Sequence, residues 1–133
     1  MVSILAYENS TPMANDWLDH QEAGSLAISG WLETELSAAL SRKIRTGRLK
    51  DTERDTLMLR FTTDMLPGLA RVDTNRKHFR LAAAIAQRHD LGIRSGDALH
   101  LSIAASNRLT LVTFDKPFAA GAIALGYNVE LIA

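Results

Sequence analysis

The 133-residue chain contains no cysteine. A disulfide framework and a thiolate-bound zinc site are therefore both excluded. There is no excess of charge of either sign, because fifteen Lys and Arg residues offset fifteen Asp and Glu residues. Bulk charge thus does not mark a nucleic-acid binder, and any such activity must come from local patches. Long hydrophobic runs are also lacking. No apolar stretch approaches the ~20 residues of a membrane span, and no basic region precedes a hydrophobic segment at the start. The expected setting is the cytoplasm, with no membrane partner. Proline is scarce, at three residues, and no linker, repeat or low-complexity tract interrupts the chain. What remains is a globular composition, 47% hydrophobic and 23% charged. It suits one domain over residues 1–133 with a sizeable core.

The pattern along that domain alternates short apolar runs with helical periodicity. Met1 to Tyr7 is a short apolar run, broken at residues 8–12, and Pro12 behind Ser10 and Thr11 signals a helix reaching about His20. "SLAIS" reads as a buried strand. From about Trp31 to Thr46, Leu32, Leu36, Leu40 and Ile44 recur every four residues, and Gly47 ends that helix. A further helix is expected over 51–64, a turn at Pro67–Gly68, and a strand in "LARVD". Residues 75–88 read as a helix with Phe79, Ala83 and Ala86 on its apolar face, and then a loop over 90–96. An apolar helix over 97–106, a strand in "LTLVTF", a helix over 117–125 and a strand in "NVELI" complete the chain. Alternation of this kind implies a parallel sheet covered on both faces, with functional groups at the carboxyl ends of its strands.

Three acids stand at such positions. Asp115 comes directly after "LTLVTF", where it can cap the next helix ahead of Pro117 or hold a cation. Asp97 lies in the first turn of "SGDALHLSIAAS", behind Ser95 or Gly96 as cap. It can simply interact with the helix dipole, but a carboxylate on a helix that is apolar nearly all round calls for a partner or a cation. Glu35, in "SGWLETELSAALSRK", shares a stripe with Trp31, Ala38 and Arg42 and could pair with Arg42. Glu33 lies about 160° round the helix from Glu35, so the two acids cannot face the same way. Clustered carboxylates repel unless a cation offsets them, and a ligand set of oxygen atoms suits Mg²⁺ or Mn²⁺.

"TELSAALSRK", "SGDALHLSIA" and "LVTFDKPFAAGAIALG" occur in the order and spacing of PIN-domain ribonucleases. They most resemble the VapC-like toxin of VapBC-type toxin–antitoxin pairs, and the resemblance covers essentially the whole chain. It implies a three-layer α/β/α sandwich around a parallel sheet. It also implies endonucleolytic cleavage of RNA dependent on Mg²⁺ or Mn²⁺, a VapB-like antitoxin as partner, and a homodimer. Glu35, Asp97 and Asp115 match three acidic positions of the family, and Thr113 matches a small hydroxyl residue two positions before the last acid. The family pattern opens with a central strand that ends in Asp, and no such Asp is found here. "VSILAYENSTPMANDWL" resembles the segment that comes after that Asp, so the chain reads as truncated by about ten residues. In a rival alignment Glu8 replaces the missing acid. The alternative function is a catalytically impaired protein that still binds an antitoxin. A receiver-like signalling domain also clusters acids at strand ends, but Lys116 stands too close to Asp115 for that pattern.

Other polar residues read more plainly. "SRKIRTGRLK" holds Arg42, Lys43, Arg45, Arg48 and Lys50 with no acid between them, either to track an RNA backbone or to form a solvated helix end. Arg94 could touch a phosphate or lie on a loop surface, His100 reads as a hydrogen-bonded core histidine, and Asp73 as a cap.

Overall fold

A computed structural model describes Asp16, residues 20–22 and residues 24–132. The expected N-terminal strand, the rival acid Glu8 and most of "VSILAYENSTPMANDWL", with the first helix expected in it, lie outside the described residues. The chain forms two compact units that part between Val72 and Asp73.

In the first unit, strand β1 (Ala27–Ser29) leads straight into helix α1 (Gly30–Arg45). The four-residue leucine repeat works as expected, since Leu36 and Leu40 are both buried. Arg42, Lys43 and Arg45 lie in the last turn, where the helix dipole favours cations. Gly47 then takes a φ of +74°, a backbone state that glycine adopts without strain, and the helix stops. Helix α2 (Asp51–Arg60) begins where Glu53 accepts a hydrogen bond from the Lys50 backbone N–H at 3.0 Å. It runs on through a π-helical stretch at Phe61–Met65, whose Phe61 is buried, and a single 3₁₀ turn at Leu66–Gly68. Strand β2 (Ala70–Val72) returns parallel to β1, with Ile28 opposite Arg71. All of β1 is buried, while Ala70 and Arg71 of β2 are exposed. The apolar run thus supplies the inner strand and the mixed run the outer one.

In the second unit, helix α3 (Arg76–Ala86) is capped by Asn75, whose side chain accepts from the Lys77 backbone N–H at 3.0 Å. The cap expected at Asp73 therefore falls two residues later. His78 Nδ1 accepts from the Asn75 backbone N–H at 3.0 Å, so this buried ring uses its bare nitrogen to close the first turn. The expected apolar face of α3 needs correction. His78, Ala82 and Ile85 are the buried residues, whereas Phe79, Ala83 and Ala86 are exposed. After the helix, Arg88 grips Asp90 with two hydrogen bonds of 3.0 and 2.9 Å. The hydrogen bond from Arg88, reinforced by its charge, holds the Asp90 carboxyl below its ordinary range.

Helix α4 (Ser95–Ser106) is the centre of this unit, with every residue from Ala98 to Ala104 buried. Its one buried hydroxyl, on Ser102, donates to the His78 carbonyl at 2.7 Å and so fixes α4 against α3. Next come strand β3 (Leu111–Thr113), helix α5 (Lys116–Ala124) and strand β4 (Val129–Leu131), and β4 runs parallel to β3 with Val112 opposite Glu130. Again the earlier strand is buried throughout and the later one largely exposed.

Leu101 is fully buried and Leu59 is 64% exposed. Truncating Leu101 to Ala removes transfer energy and leaves a cavity, so Leu101→Ala should lower unfolding free energy by about 2–5 kcal/mol. Leu59→Ala should stay within about 0.5 kcal/mol of the parent. Guanidinium titrations of the two variants check both values.

Candidate functional site

Each candidate acid sits in the first turns of a helix that comes after a strand or a loop. Glu35 lies on α1, six residues in, and is half-buried. Its neighbour Glu33 is engaged elsewhere, in an ion pair with Arg71 of β2. That pairing already answers the charge of Glu33 within the first unit. Arg42, Arg45, Arg48 and Lys50, at the far end of α1 and beyond, are exposed.

Asp97 and Asp115 belong to the second unit. Asp97 occupies the first turn of α4 and is half-buried, with Ala98 directly behind it fully buried. The cap of α4 is not Ser95 or Gly96 as expected. Arg94 holds that position with an extended backbone, and its side chain supplies no capping hydrogen bond. The reason is that the helix begins ahead of the apolar pattern, with Ser95 and Gly96 already helical.

Asp115 does cap α5. Its Oδ1 accepts from the Phe118 backbone N–H at 2.9 Å, and its own backbone N–H donates to Thr113 Oγ1 at 3.1 Å. Thr113 is fully buried, so its hydroxyl is a fixed anchor for the turn that presents Asp115. The other carboxyl oxygen, Oδ2, faces the Arg94 guanidinium at 3.8 Å. Arg94 therefore ties the start of α4 to the start of α5. A second contact enforces the same approach. A Cβ placed on Gly121 of α5 would meet Ile93 Cδ1 and Cγ1 at 3.1 Å, so glycine there lets the segment before Arg94 lie against α5. Sequence reasoning missed Gly121, since a glycine inside an apolar helix gives no sign of what it lies against.

Both groups are oxygen donors of the kind that Mg²⁺ and Mn²⁺ take. Among the described residues no three His, Asp or Glu side chains form a group that could hold a metal ion. Two carboxylates nevertheless fit the way Mg²⁺ is usually held, by one or two carboxylates, several waters and the phosphates of a substrate. At the start of α5 Pro117 has no N–H and the Phe118 N–H is taken by Asp115, so that helix N-terminus offers a phosphate little. His100, three residues after Asp97, is buried in α4, as a core histidine should be.

The PIN-domain family pattern matches residues 2–123, through both units. The chain belongs to the PIN-domain family. Its fold is accordingly α/β with parallel strands, a PIN-like sandwich. Two solved structures share it at low identity. FitAcB from Neisseria gonorrhoeae is 19% identical, with a TM-score of 0.66 over 89% of this chain and 83% of that one. FitAB bound to a DNA fragment is 18% identical, with a TM-score of 0.70 over 90% of this chain and 81% of that one. No curated protein matches the chain in sequence.

The two roles of Asp115 can be separated. Asn caps a helix about as well as Asp, whereas Ala loses about 0.5–2 kcal/mol. Asp115→Asn should therefore unfold close to the parent, and Asp115→Ala clearly earlier, in urea titrations. The Arg94 pair is solvent-exposed, so Arg94→Ala should change stability by less than about 1 kcal/mol.

Proposed function

We propose that this PIN-domain protein is the toxin of a toxin–antitoxin pair and cleaves RNA phosphodiester bonds with the help of Mg²⁺ or Mn²⁺. The observation that carries the reading is that Asp97 stands in the first turn of α4 and Asp115 at the start of α5, with Arg94, the residue flanking α4, 3.8 Å from the Asp115 carboxylate. PIN domains as a family are nucleases, which supports a hydrolase. The resemblance of the sequence motifs to VapBC-type toxins supports the more specific terms: RNA as substrate, a VapB-like antitoxin and a homodimer in the cytoplasm. The likeness to FitAB, whose structure includes a DNA fragment, fits a pair that engages DNA.

Asp97 and Asp115 are the residues that would hold the cation, and Glu35 is the third acid assigned to the reaction by the resemblance. When bound, the cation would activate a water molecule and neutralise charge on the phosphate. The chain's own groups do the rest. The Thr113 hydroxyl accepts from the Asp115 backbone N–H and the Phe118 N–H donates to its carboxyl, so the acid would be oriented before the cation arrives. Arg94, at the mouth of the same turn and largely exposed, can leave Asp115 for a non-bridging phosphate oxygen, to which a guanidinium donates in a forked geometry.

A second reading is a catalytically impaired protein that only binds its antitoxin. It is favoured by one observation: Asp115 is already answered by an amide and a guanidinium. Cleavage of a single-stranded RNA with Mn²⁺ and with chelator separates the two. The nuclease reading expects Mn²⁺-dependent products, lost in Asp97→Asn and Asp115→Asn and reduced by at least about a hundredfold in Glu35→Gln, with each variant folded. Equal cleavage by parent and Asp97→Asn would sink it. No cleavage by any form, with antitoxin still bound, would establish the impaired binder.

A further inference from the structure

Phe79 is 57% exposed, and among the described aromatic side chains it alone is exposed. Burying a phenylalanine is among the larger favourable terms open to a helix of this length, so its outward position calls for an explanation. Its surroundings on α3 supply one. The helix reads RKHFRLAAAIA and contains no acid. The buried residues His78, Ala82 and Ile85 define its inner face. On the opposite side, at about 100° per residue, lie Arg76, Arg80 and Ala83, with Phe79 flanking them on one side and Lys77 on the other. All five are exposed. Arg76, Lys77 and Arg80 form no ion pair among the described residues, and Asp90, past the end of the helix, is held by Arg88. Alanine at 83 leaves the ring of Phe79 open toward the next turn.

We propose that this face of α3 is a docking site for single-stranded RNA, in which Phe79 stacks on a base while Arg76 and Arg80 take the flanking phosphates. The proposal rests on the nuclease reading above and extends it to a substrate-binding surface. An aromatic ring among cations is the combination that binds single strands without sequence preference, because every base offers a π-face and every nucleotide a charge. A two-fold copy of the chain is the less suitable occupant. A two-fold axis through this face would set Arg76, Lys77 and Arg80 against their own copies with no acid between them. The placement also suits the chemistry. Ser102 holds α3 to α4 at the level of His78, five residues after Asp97, which is about 7–8 Å along the α4 axis. The outer face of α3 lies about one helix diameter further out, ~10 Å, so a strand of several nucleotides would be needed to reach from it to the Asp97 turn.

The test uses the full chain with Asp97→Asn, which holds RNA intact, and a labelled single-stranded RNA of mixed sequence, read by fluorescence anisotropy at several salt concentrations. Phe79→Ala should weaken binding about fivefold or more, and Phe79→Trp should restore it. Arg76→Gln with Arg80→Gln should flatten the slope of log affinity against log salt by about 1.4, from ~0.7 for each single-strand phosphate no longer neutralised. Unchanged affinity and slope in both variants, or no RNA binding by the Asp97→Asn chain, would overturn the proposal. So would a Phe79→Ala chain that binds RNA normally but changes its sedimentation coefficient or loses its antitoxin, since the face would then belong to a protein. If the RNA-binding effects appear while the parent chain fails to cleave with Mn²⁺, the docking site stands and the nuclease reading falls.

Discussion

The second unit depends on the close approach of the segment before α4 to helix α5, which glycine at position 121 permits. Ile93 lies 3.1 Å from the point where a Cβ on residue 121 would be. Protein interiors transmit such contacts because they are packed as densely as organic crystals. Ile93 is itself buried, so any shift it makes is passed to its packed neighbours. One residue later the chain turns into α4 with Arg94 as the flanking residue, and the guanidinium reaches Asp115. Glycine at 121 thus spares Ile93 a shift of a few tenths of an ångström, and the segment that leads into α4 lies close against α5. The ion pair alone could not do this, since Arg94 is mostly in water and such pairs contribute little. It reports the approach that the apolar contact enforces.

At Asp115 the helix cap leaves half of the carboxylate for a second partner. A carboxylate has two oxygens, and the helix cap uses one, through the Phe118 N–H. The other, Oδ2, faces the Arg94 guanidinium. The cap, and the buried Thr113 hydroxyl that accepts from the Asp115 backbone N–H, fix the turn that presents this carboxyl.

Much of this was legible in the sequence, for identifiable reasons. The leucine repeat of α1, the glycine stop at 47, the apolar helix around Leu101 and the alternation of strand and helix all depend on local periodicity, and all are found. Both strand pairs are parallel, as alternation with helices requires. What was not legible depends on neighbours. The cap of α4 shifted to Arg94 because Ser95 and Gly96, good caps by type, were drawn into the helix. The Glu33–Arg71 pair joins α1 to β2 across almost forty positions, and spacing along one helix cannot reveal it. The resemblance to PIN domains named three acids from order alone, and it is the family match over residues 2–123 that bears out the fold.

Helix α3 departs furthest from its sequence pattern. Phe79, Ala83 and Ala86 recur at helical spacing and look like a core stripe. The face that is buried instead contains a histidine, His78, with Ala82 and Ile85. One bond across to α4 holds the rotation, and a second is local to α3. His78 closes its own first turn by accepting from the Asn75 N–H, and its carbonyl receives the Ser102 hydroxyl from α4. Ser102 is fully buried, and a buried hydroxyl without a partner costs about 1–3 kcal/mol. Rotating α3 to bury Phe79 would gain apolar area comparable to that cost, roughly 2–3 kcal/mol. It would also strip the acceptor from Ser102, expose Ile85 and carry Arg76 toward the core, where an unpaired guanidinium costs far more. The Ser102 contact, with the burial of Ala82 and Ile85, therefore holds the rotation of the helix, and Phe79 faces water as a consequence.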